Sequence, residues 1–172
     1  MRVAVPHGRL HIRAATSWEY GDELAGVFPL GVPGSYAGQP EVFDLGSIRQ
    51  PAHKVELRVD HDPTKILAAS PGALNLQIRA DQISFTVPIA QLPATTVTND
   101  ALEYIRSGLK VGISPGFIPK PAGVEYRNGM DVITSCDLFE LSIVGNPAYP
   151  SGKVTTRDDR ATPTRMLSWA WL

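Results

Sequence analysis

The chain has 172 residues, of which 43% are hydrophobic, and its 16 Lys and Arg against 17 Asp and Glu give a net charge of −1. This composition fits one globular domain with its own core and excludes global disorder, while the balanced charge gives no electrostatic basis for nucleic-acid binding. No apolar run reaches the roughly 18 residues that cross a bilayer, so no membrane contact is expected. The single cysteine, Cys136, excludes an internal disulfide, and without a secretory signal in residues 1–13 we expect a cytosolic protein.

Fifteen glycines and fifteen prolines divide the chain into short segments, which favours strands and loops over long helices. Residues 9–14 are predicted to form a first strand, and residues 21–39 a loop-rich excursion around residues 24–28. The alternation of apolar and charged residues in Val55–Val59 predicts a half-buried strand. That strand leads directly into the segment Asp60-His61-Asp62-Pro63.

Two further segments with alternating apolar residues, 73–78 and 83–89, predict an antiparallel pair joined by a turn at residues 79–82. One helix follows them. An apolar stripe defines its buried face, Gly108 supplies its C-terminal stop, and one of three successive polar residues caps its N-terminus. The stripe is Ala101, Leu102, Ile105 and Leu109, and the candidate caps are Thr98, Asn99 and Asp100.

The second half of the chain returns to strand character. Residues 111–118 predict a strand, the Asn128-Gly129 pair predicts a hairpin turn, and residues 131–144 predict one long strand. Beyond residue 150 the chain is polar and charged until a short apolar end. We therefore predict a folded domain over residues 1–150 and a flexible polar tail over residues 151–172.

The segment Gly112-Ile113-Ser114-Pro115-Gly116 has the Gly-x-Ser-x-Gly pattern of a serine-hydrolase nucleophile elbow. In α/β-hydrolases the catalytic histidine follows the serine, whereas all four histidines of this chain precede Ser114. That fold is therefore excluded. A serine nucleophile at this position must take its base from upstream.

Three residues could form a catalytic serine site: His61 after a strand, Ser114 in a glycine-flanked strand, and Glu140 between apolar neighbours. A serine hydroxyl needs a base to accept its proton, and the base works better when a third group orients it. Glu140 suits this third role, because an unpaired carboxylate in a core strand is costly. Asp62 is the alternative, but adjacent residues of an extended segment point to opposite faces, which disfavours contact between Asp62 and the His61 ring.

These and nearby residues also suggest two other chemistries. Cys136 next to Asp137 is interpreted as an inert core thiol, because a nucleophilic thiol needs an electropositive, accessible setting. Asp60, His61 and Asp62 could bind a divalent metal, but a further ligand at suitable spacing is missing. Neither a metal nor another cofactor is therefore expected.

Three groups of residues follow one another in a specific order along the chain: His61-Asp62, then Ser114-x-Gly116-Phe117, then Glu140-x-Ser142-x-Val144 followed by Pro147-Ala148. This set resembles the tailed-phage prohead, or capsid-maturation, protease family, and the similarity runs from about residue 24 to residue 149. In that family the matching His and Ser are catalytic and the Glu is the third member. The resemblance therefore assigns these roles to His61, Ser114 and Glu140.

The resemblance implies a mainly β (α+β) fold, a small closed β-barrel flanked by a few helices, as in the herpesvirus assembly proteases to which the family is similar. It implies a serine endopeptidase that cuts the scaffolding segment of a phage major capsid protein inside the assembling procapsid, in the host cytoplasm, and that also cuts itself. The partner is then the capsid protein or its scaffolding segment, with self-association left open. Residues 167–172, rich in Trp, would anchor the protease to the scaffold or capsid.

Pro115 departs from the nucleophile elbow, because it has no backbone N–H to donate to an oxyanion. The N–H groups of Gly116 and Phe117 are the candidate donors in its place, with the side chains of Arg106 or Arg127 as alternatives. Two competing functions also stay open on the sequence alone. One is a non-catalytic capsid-assembly or scaffolding protein on the same barrel, and the other is a metal-dependent hydrolase.

Overall fold

The computed structural model describes residues 22–157 and builds them mainly from β-strands, with one α-helix and one short 3₁₀ turn at Ile89–Gln91 in this part of the chain. No helix among these residues is long and apolar enough to cross a membrane. In chain order the elements are β1 (Glu23–Pro29), β2 (Gly34–Tyr36), β3 (Gln39–Phe43), β4 (Val55–Val59), β5 (Ile66–Ser70), β6 (Asn75–Ile78), β7 (Gln82–Pro88), α1 (Thr96–Arg106), β8 (Gly112–Pro119), β9 (Val124–Arg127), β10 (Met130–Ile133), β11 (Cys136–Val144) and β12 (Lys153–Arg157).

The strands form two sheets. Eight strands in the order β5-β4-β11-β8-β12-β1-β7-β6 make a nearly closed, barrel-like sheet, and four in the order β2-β3-β10-β9 make a small second sheet. Helix α1 contacts β12 on the flank of the barrel. The predicted mainly β fold with a small barrel is therefore confirmed, with one flanking α-helix in the described residues where a few were expected.

A single hydrophobic core lies inside the barrel sheet. Along β4, β8 and β11 the apolar residues alternate with polar ones, so that one face of these strands turns inward. Leu57, Ile113, Leu141 and Ile143 on that face have no exposed surface. Burial of each such side chain stabilises the fold by about 1.5–3 kcal/mol. The polar residues between them are left on the outer face of the same three strands.

Elements with strong local signals form where the sequence predicts them. β4, the β6–β7 hairpin and β8 match their predicted segments. Asn128 and Gly129 join β9 to β10 with φ of 53° and 83°, the left-handed values that an Asn-Gly hairpin turn requires. Helix α1 also forms, but its cap is Thr95, whose Oγ1 accepts a 3.3 Å hydrogen bond from Thr98 N–H. The predicted caps, residues 98–100, lie inside the helix, because it begins at Thr96.

The expectation of a loop-rich excursion over residues 21–39 is wrong. β1 and β2 both lie in this segment, and β1 is an interior barrel strand between β12 and β7. Leu24 and Phe28 in β1 are among the most deeply buried core residues. Gly26 does not break the strand but fits it, because a Cβ at Gly26 would overlap the Phe85 ring on β7.

The single long strand predicted over residues 131–144 is also wrong, because this segment contains two strands in different sheets. β10 pairs with β3 and β9, whereas β11 pairs with β4 and β8. Between them the N–H groups of Thr134 and Ser135 both donate to Gly123 O, at 2.9 and 3.2 Å. Apolar periodicity does not mark this change of sheet, because apolar residues are buried on both sides of it.

The domain boundary predicted at residue 150 comes too early. β12 inserts between β1 and β8, and Val154 within it is 3% exposed and donates its N–H to Val111 O at 2.9 Å. The sequence did not predict this strand because Val154 is the only apolar residue in β12. Residues 158–172 of the predicted tail, and the strand predicted at residues 9–14, lie outside the described residues.

Candidate active site

A row of polar residues crosses the outer face of three neighbouring barrel strands. β11 runs parallel to β4 and antiparallel to β8, and residues that stand opposite each other in these pairs share one face of the sheet. Strand register therefore determines which residues form the row. Their side chains lie close together because adjacent strands are only about 5 Å apart. The row consists of Glu56 and Arg58 in β4, Glu140 and Ser142 in β11, and Gly116 and Ser114 in β8.

Glu56, at one end of the row, is held as a carboxylate by two cations. It is 6% exposed, and its oxygens lie 2.5 Å from Lys54 Nζ and 2.5 Å from an Arg58 guanidinium nitrogen. Hydrogen bonds from Lys54 first, and from Arg58 second, hold the pKa of Glu56 below its ordinary value. Glu56 is thus paired with Lys54 and Arg58, and Glu140 is the carboxylate that binds the His61 ring.

His61 reaches the row from a left-handed turn at the end of β4. Asp60 and His61 have φ of 55° and 58°, a conformation unfavourable for non-glycine residues but better tolerated by Asp and His than by most. Two hydrogen bonds to β11 hold the turn. Asp60 N–H donates to Ile143 O at 3.1 Å, and His61 N–H donates to Ser142 Oγ at 3.0 Å. The turn thereby brings the His61 ring back over β11.

The His61 ring and the Glu140 carboxylate are in direct contact, with Nδ1 and Oε1 2.5 Å apart. Glu140 is 6% exposed, whereas the His61 side chain is 45% exposed. The hydrogen bond with Glu140 raises the pKa of His61 above its ordinary value, and partial burial opposes that rise. A neutral imidazole whose Nδ1 proton faces the carboxylate keeps a lone pair on Nε2, which is what a general base requires.

Asp62, the alternative orienting acid, contacts a different set of residues. Its carboxylate accepts hydrogen bonds from Thr64 N–H at 2.9 Å and Thr64 Oγ1 at 2.6 Å, and it lies 3.4 Å from Lys65 Nζ. These bonds, those from Thr64 foremost, lower the pKa of Asp62. Of the two candidate acids, Glu140 is therefore the one that contacts the His61 ring.

Ser114 and His61 line the same cavity, which has a volume of about 610 Å³. Ser114 is 9% exposed, and its Oγ has no hydrogen-bond partner among the described residues. Residues of the small sheet, including Val124 and Ile133, line the cavity together with residues of β8, so it opens between the two sheets. Its volume is typical of a pocket that binds a small ligand or part of a peptide.

Gly116 leaves the space that the Glu140 carboxylate occupies. A Cβ built on Gly116 would overlap the carboxylate group of Glu140, which stands opposite it in β11. A side chain at this position would therefore displace the acid from His61. The second glycine of the Gly-x-Ser-x-Gly pattern is thus explained by packing in the site.

The backbone of β8 offers an N–H group on the side away from β11. Ile113 N–H donates to Gly152 O at 3.3 Å, toward β12. Successive N–H groups of a strand point to opposite sides, so Phe117 N–H has the same direction as Ile113 N–H, and Gly116 N–H points to β11. The backbone nitrogen of Pro115 also faces the β12 side. The N–H group that proline lacks is therefore not one that would bond to β11.

Ser142, which the sequence presents only as part of a motif, has two partners in the site. Its side chain is fully buried, and its Oγ donates to Glu140 Oε2 at 2.6 Å while accepting the His61 N–H. The spacing of Glu140 and Ser142 puts both residues on one face of a strand. That spacing was the available signal, but the contact with His61 depends on how β4 and β11 pair.

The other candidate residues lie outside this cluster. Arg106 pairs with Glu103 and Arg127 with Glu125, and neither arginine lines the cavity. Cys136 is 3% exposed, and burial raises its pKa to about 12, as expected for a core thiol. Within residues 22–157 no group of three or more His, Cys, Asp or Glu side chains could hold a metal ion.

Comparison with protein families gives a match over most of the chain. A family model described as caudovirus prohead serine protease matches residues 39–166, a range that includes His61, Ser114 and Glu140. A search of curated proteins and a search of solved structures found no match.

Proposed function

Because this chain belongs to the caudovirus prohead serine protease family, whose members mature phage capsids, we propose that it is an active serine endopeptidase. In this proposal Ser114 is the nucleophile, His61 the general base and Glu140 the acid that orients the base. The observation that carries it is the 2.5 Å contact of His61 Nδ1 with Glu140 Oε1, beside a cavity that Ser114 also lines.

Peptide cleavage then proceeds in two stages. In the first, His61 Nε2 takes the hydroxyl proton of Ser114 as Oγ attacks the scissile carbonyl carbon, and the proton passes to the leaving amine as the C–N bond breaks. In the second, His61 takes a proton from water, the resulting hydroxide attacks the Ser114 ester, and the proton returns to Oγ as the acid product leaves. Throughout, Glu140 holds Nδ1–H in place and stabilises the imidazolium.

For the oxyanion of both tetrahedral intermediates we propose Phe117 N–H as the donor within β8. Gly116 and Phe117 were both candidates, and the alternation of N–H directions along β8 favours Phe117, whose N–H points away from β11. Pro115 cannot contribute.

The proposed substrate is the scaffolding segment of the phage major capsid protein, cut inside the assembling procapsid in the host cytoplasm, and the protease is also proposed to cut its own chain. The family match supports a role in capsid maturation. The cavity supports binding of an extended peptide, because it is open between two sheets and lined mainly by apolar and aromatic side chains. The proposed reaction uses no metal or other cofactor.

A fluorophosphonate probe tests the proposed function directly. We expect the probe to modify the folded protein once, at Ser114, with the modified peptide identified by mass spectrometry. Ser114→Ala should stay unmodified under the same conditions, and addition of EDTA should not change the rate. Absence of labelling in the folded wild-type protein would favour a non-catalytic scaffolding role, whereas loss of peptidase activity with EDTA would favour a metal-dependent hydrolase.

The pH dependence of labelling reports the His61–Glu140 contact. Since the pKa of His61 is raised, the neutral base forms only at higher pH, and the labelling rate should rise through a midpoint above the ordinary histidine pKa of about 6.5. In Glu140→Gln the main cause of the rise is gone. We expect the midpoint to fall toward about 6.5, and the plateau rate to fall by up to ~10⁴-fold, the loss seen when a triad acid becomes an amide.

Asp62→Asn is the matched control for this experiment, because Asp62 bonds to Thr64 rather than to the ring. Its midpoint and plateau should equal those of the wild type. A full rate in Glu140→Gln combined with none in Asp62→Asn would reverse the assignment of the orienting acid.

A further inference from the structure

The buried hydroxyl of Ser142 connects the proposed base and the proposed acid through two different bonds. Its Oγ accepts the His61 N–H at 3.0 Å and donates to Glu140 Oε2 at 2.6 Å. A hydroxyl has one proton to donate and two lone pairs, so both bonds can exist at once. Ser142 has no exposed surface and is not among the residues that line the cavity. Ser142 therefore does not line the space in which a substrate would bind, and its two side-chain hydrogen bonds go to His61 and Glu140.

His61 needs a partner for its backbone because its conformation is unfavourable by itself. Asp60 and His61 are two consecutive non-glycine residues with left-handed φ, and such pairs persist only where surrounding contacts determine them. The acceptor for the His61 N–H is the Ser142 side chain rather than a backbone carbonyl. Without that acceptor the turn would lose the bond that fixes the residue carrying the ring.

Glu140 needs a second donor because one hydrogen bond does not define the orientation of a carboxylate. His61 Nδ1 binds Oε1, and Ser142 Oγ binds Oε2, so the two bonds together fix the rotation of the carboxylate. The group is 6% exposed, and a buried carboxylate with an unbonded oxygen is unfavourable. Ser142 thus supports both ends of the His61–Glu140 contact.

We propose that Ser142 is a positioning residue of the catalytic site, which sets the place of the His61 ring through its backbone and the orientation of Glu140 through Oε2. The inference rests on the proposed function, because positioning matters only if His61 acts as the base. It predicts that loss of the Ser142 hydroxyl slows the chemical step while substrate binding is kept.

The test compares Ser142→Ala and Ser142→Cys with Ser47→Ala. Cysteine is close to serine in size but is a weak donor. Ser47 is a matched control because it is also buried and its hydroxyl has no partner among the described residues. We expect both Ser142 variants to fold, to react with the fluorophosphonate about 10²-fold more slowly, and to lower kcat with KM unchanged, as for a misplacement of about 1 Å. The low-field proton resonance of His61 Nδ1 should also shift or disappear, whereas Ser47→Ala should behave as wild type.

The outcomes separate this inference from the proposed function. If the wild type does not react with the probe, the proposed function fails. If the wild type reacts and a folded Ser142→Ala or Ser142→Cys reacts equally fast with an unchanged His61 resonance, Ser142 is not a positioning residue. Unfolding of both variants, with Ser47→Ala folded, would also overturn the inference, because it would show that the hydroxyl serves stability instead.

Discussion

Ser114→Ala and His61→Ala are each expected to reduce cleavage of a co-expressed capsid protein by ~10⁶-fold in kcat, the loss measured when the serine or histidine of a comparable triad is removed. The reason is chemical rather than structural. Alanine removes the attacking oxygen in one variant and the proton acceptor in the other, and neither residue belongs to the hydrophobic core. On a gel, the capsid subunits should stay at their uncut length.

The double variant distinguishes a catalytic unit from two independent contributions. If Ser114 and His61 act together, the double variant should be no slower than either single variant. His53→Ala and Ser47→Ala are the matched controls, since His53 stacks on Phe139 outside the site and Ser47 is a buried serine on another segment. Both controls should cut normally. Trimmed capsid subunits in cells that carry Ser114→Ala would rule out the serine mechanism.

The sequence indicated the three proposed catalytic residues of the candidate site, but not the residues that hold them in place. His61 and Ser114 carry signals of their own, a histidine directly after a strand and a serine between glycines. Glu140 was a candidate because a carboxylate among apolar neighbours is costly without a partner, and the family resemblance then gave it the role of third member. Ser142 and the role of Gly116 could not be found in this way, because both depend on which residues stand opposite each other in three strands that are distant in sequence.

The same difference between local and non-local information divides the fold. The β6–β7 hairpin and the β9–β10 turn were predicted because their signals lie within a few residues. β1 and β12 were missed, since β1 contains a glycine, β12 is mostly polar, and the burial of both comes from partners far along the chain. Their register joins Leu24 to Thr156 and Gly26 to Val154. A polar strand held by distant partners resembles a tail in the sequence.

This placement of β12 changes what truncation should do. A chain that ends after Gly152 lacks β12, so β1 and β8 lose the strand between them, α1 loses a packing partner, and the core loses Val154. Globular domains are stable by only about 5–15 kcal/mol, and the loss of a central strand removes many backbone hydrogen bonds together with buried apolar surface. We expect the truncated chain to show no cooperative thermal transition and no labelling by the serine probe.

A chain that ends after Arg157 is the control, because it keeps every residue of β12 and should melt cooperatively and react with the probe. A finer pair of variants removes any effect of chain length: Val154→Asp puts a charge into the core, whereas Thr155→Asp puts the same charge on the exposed face of the strand. Val154→Asp should lower the melting temperature strongly, since a buried, unpaired carboxylate is costly, and Thr155→Asp should change it little. If the chain ending after Gly152 melts like the one ending after Arg157, β12 contributes nothing to the barrel, and the predicted boundary at residue 150 would stand.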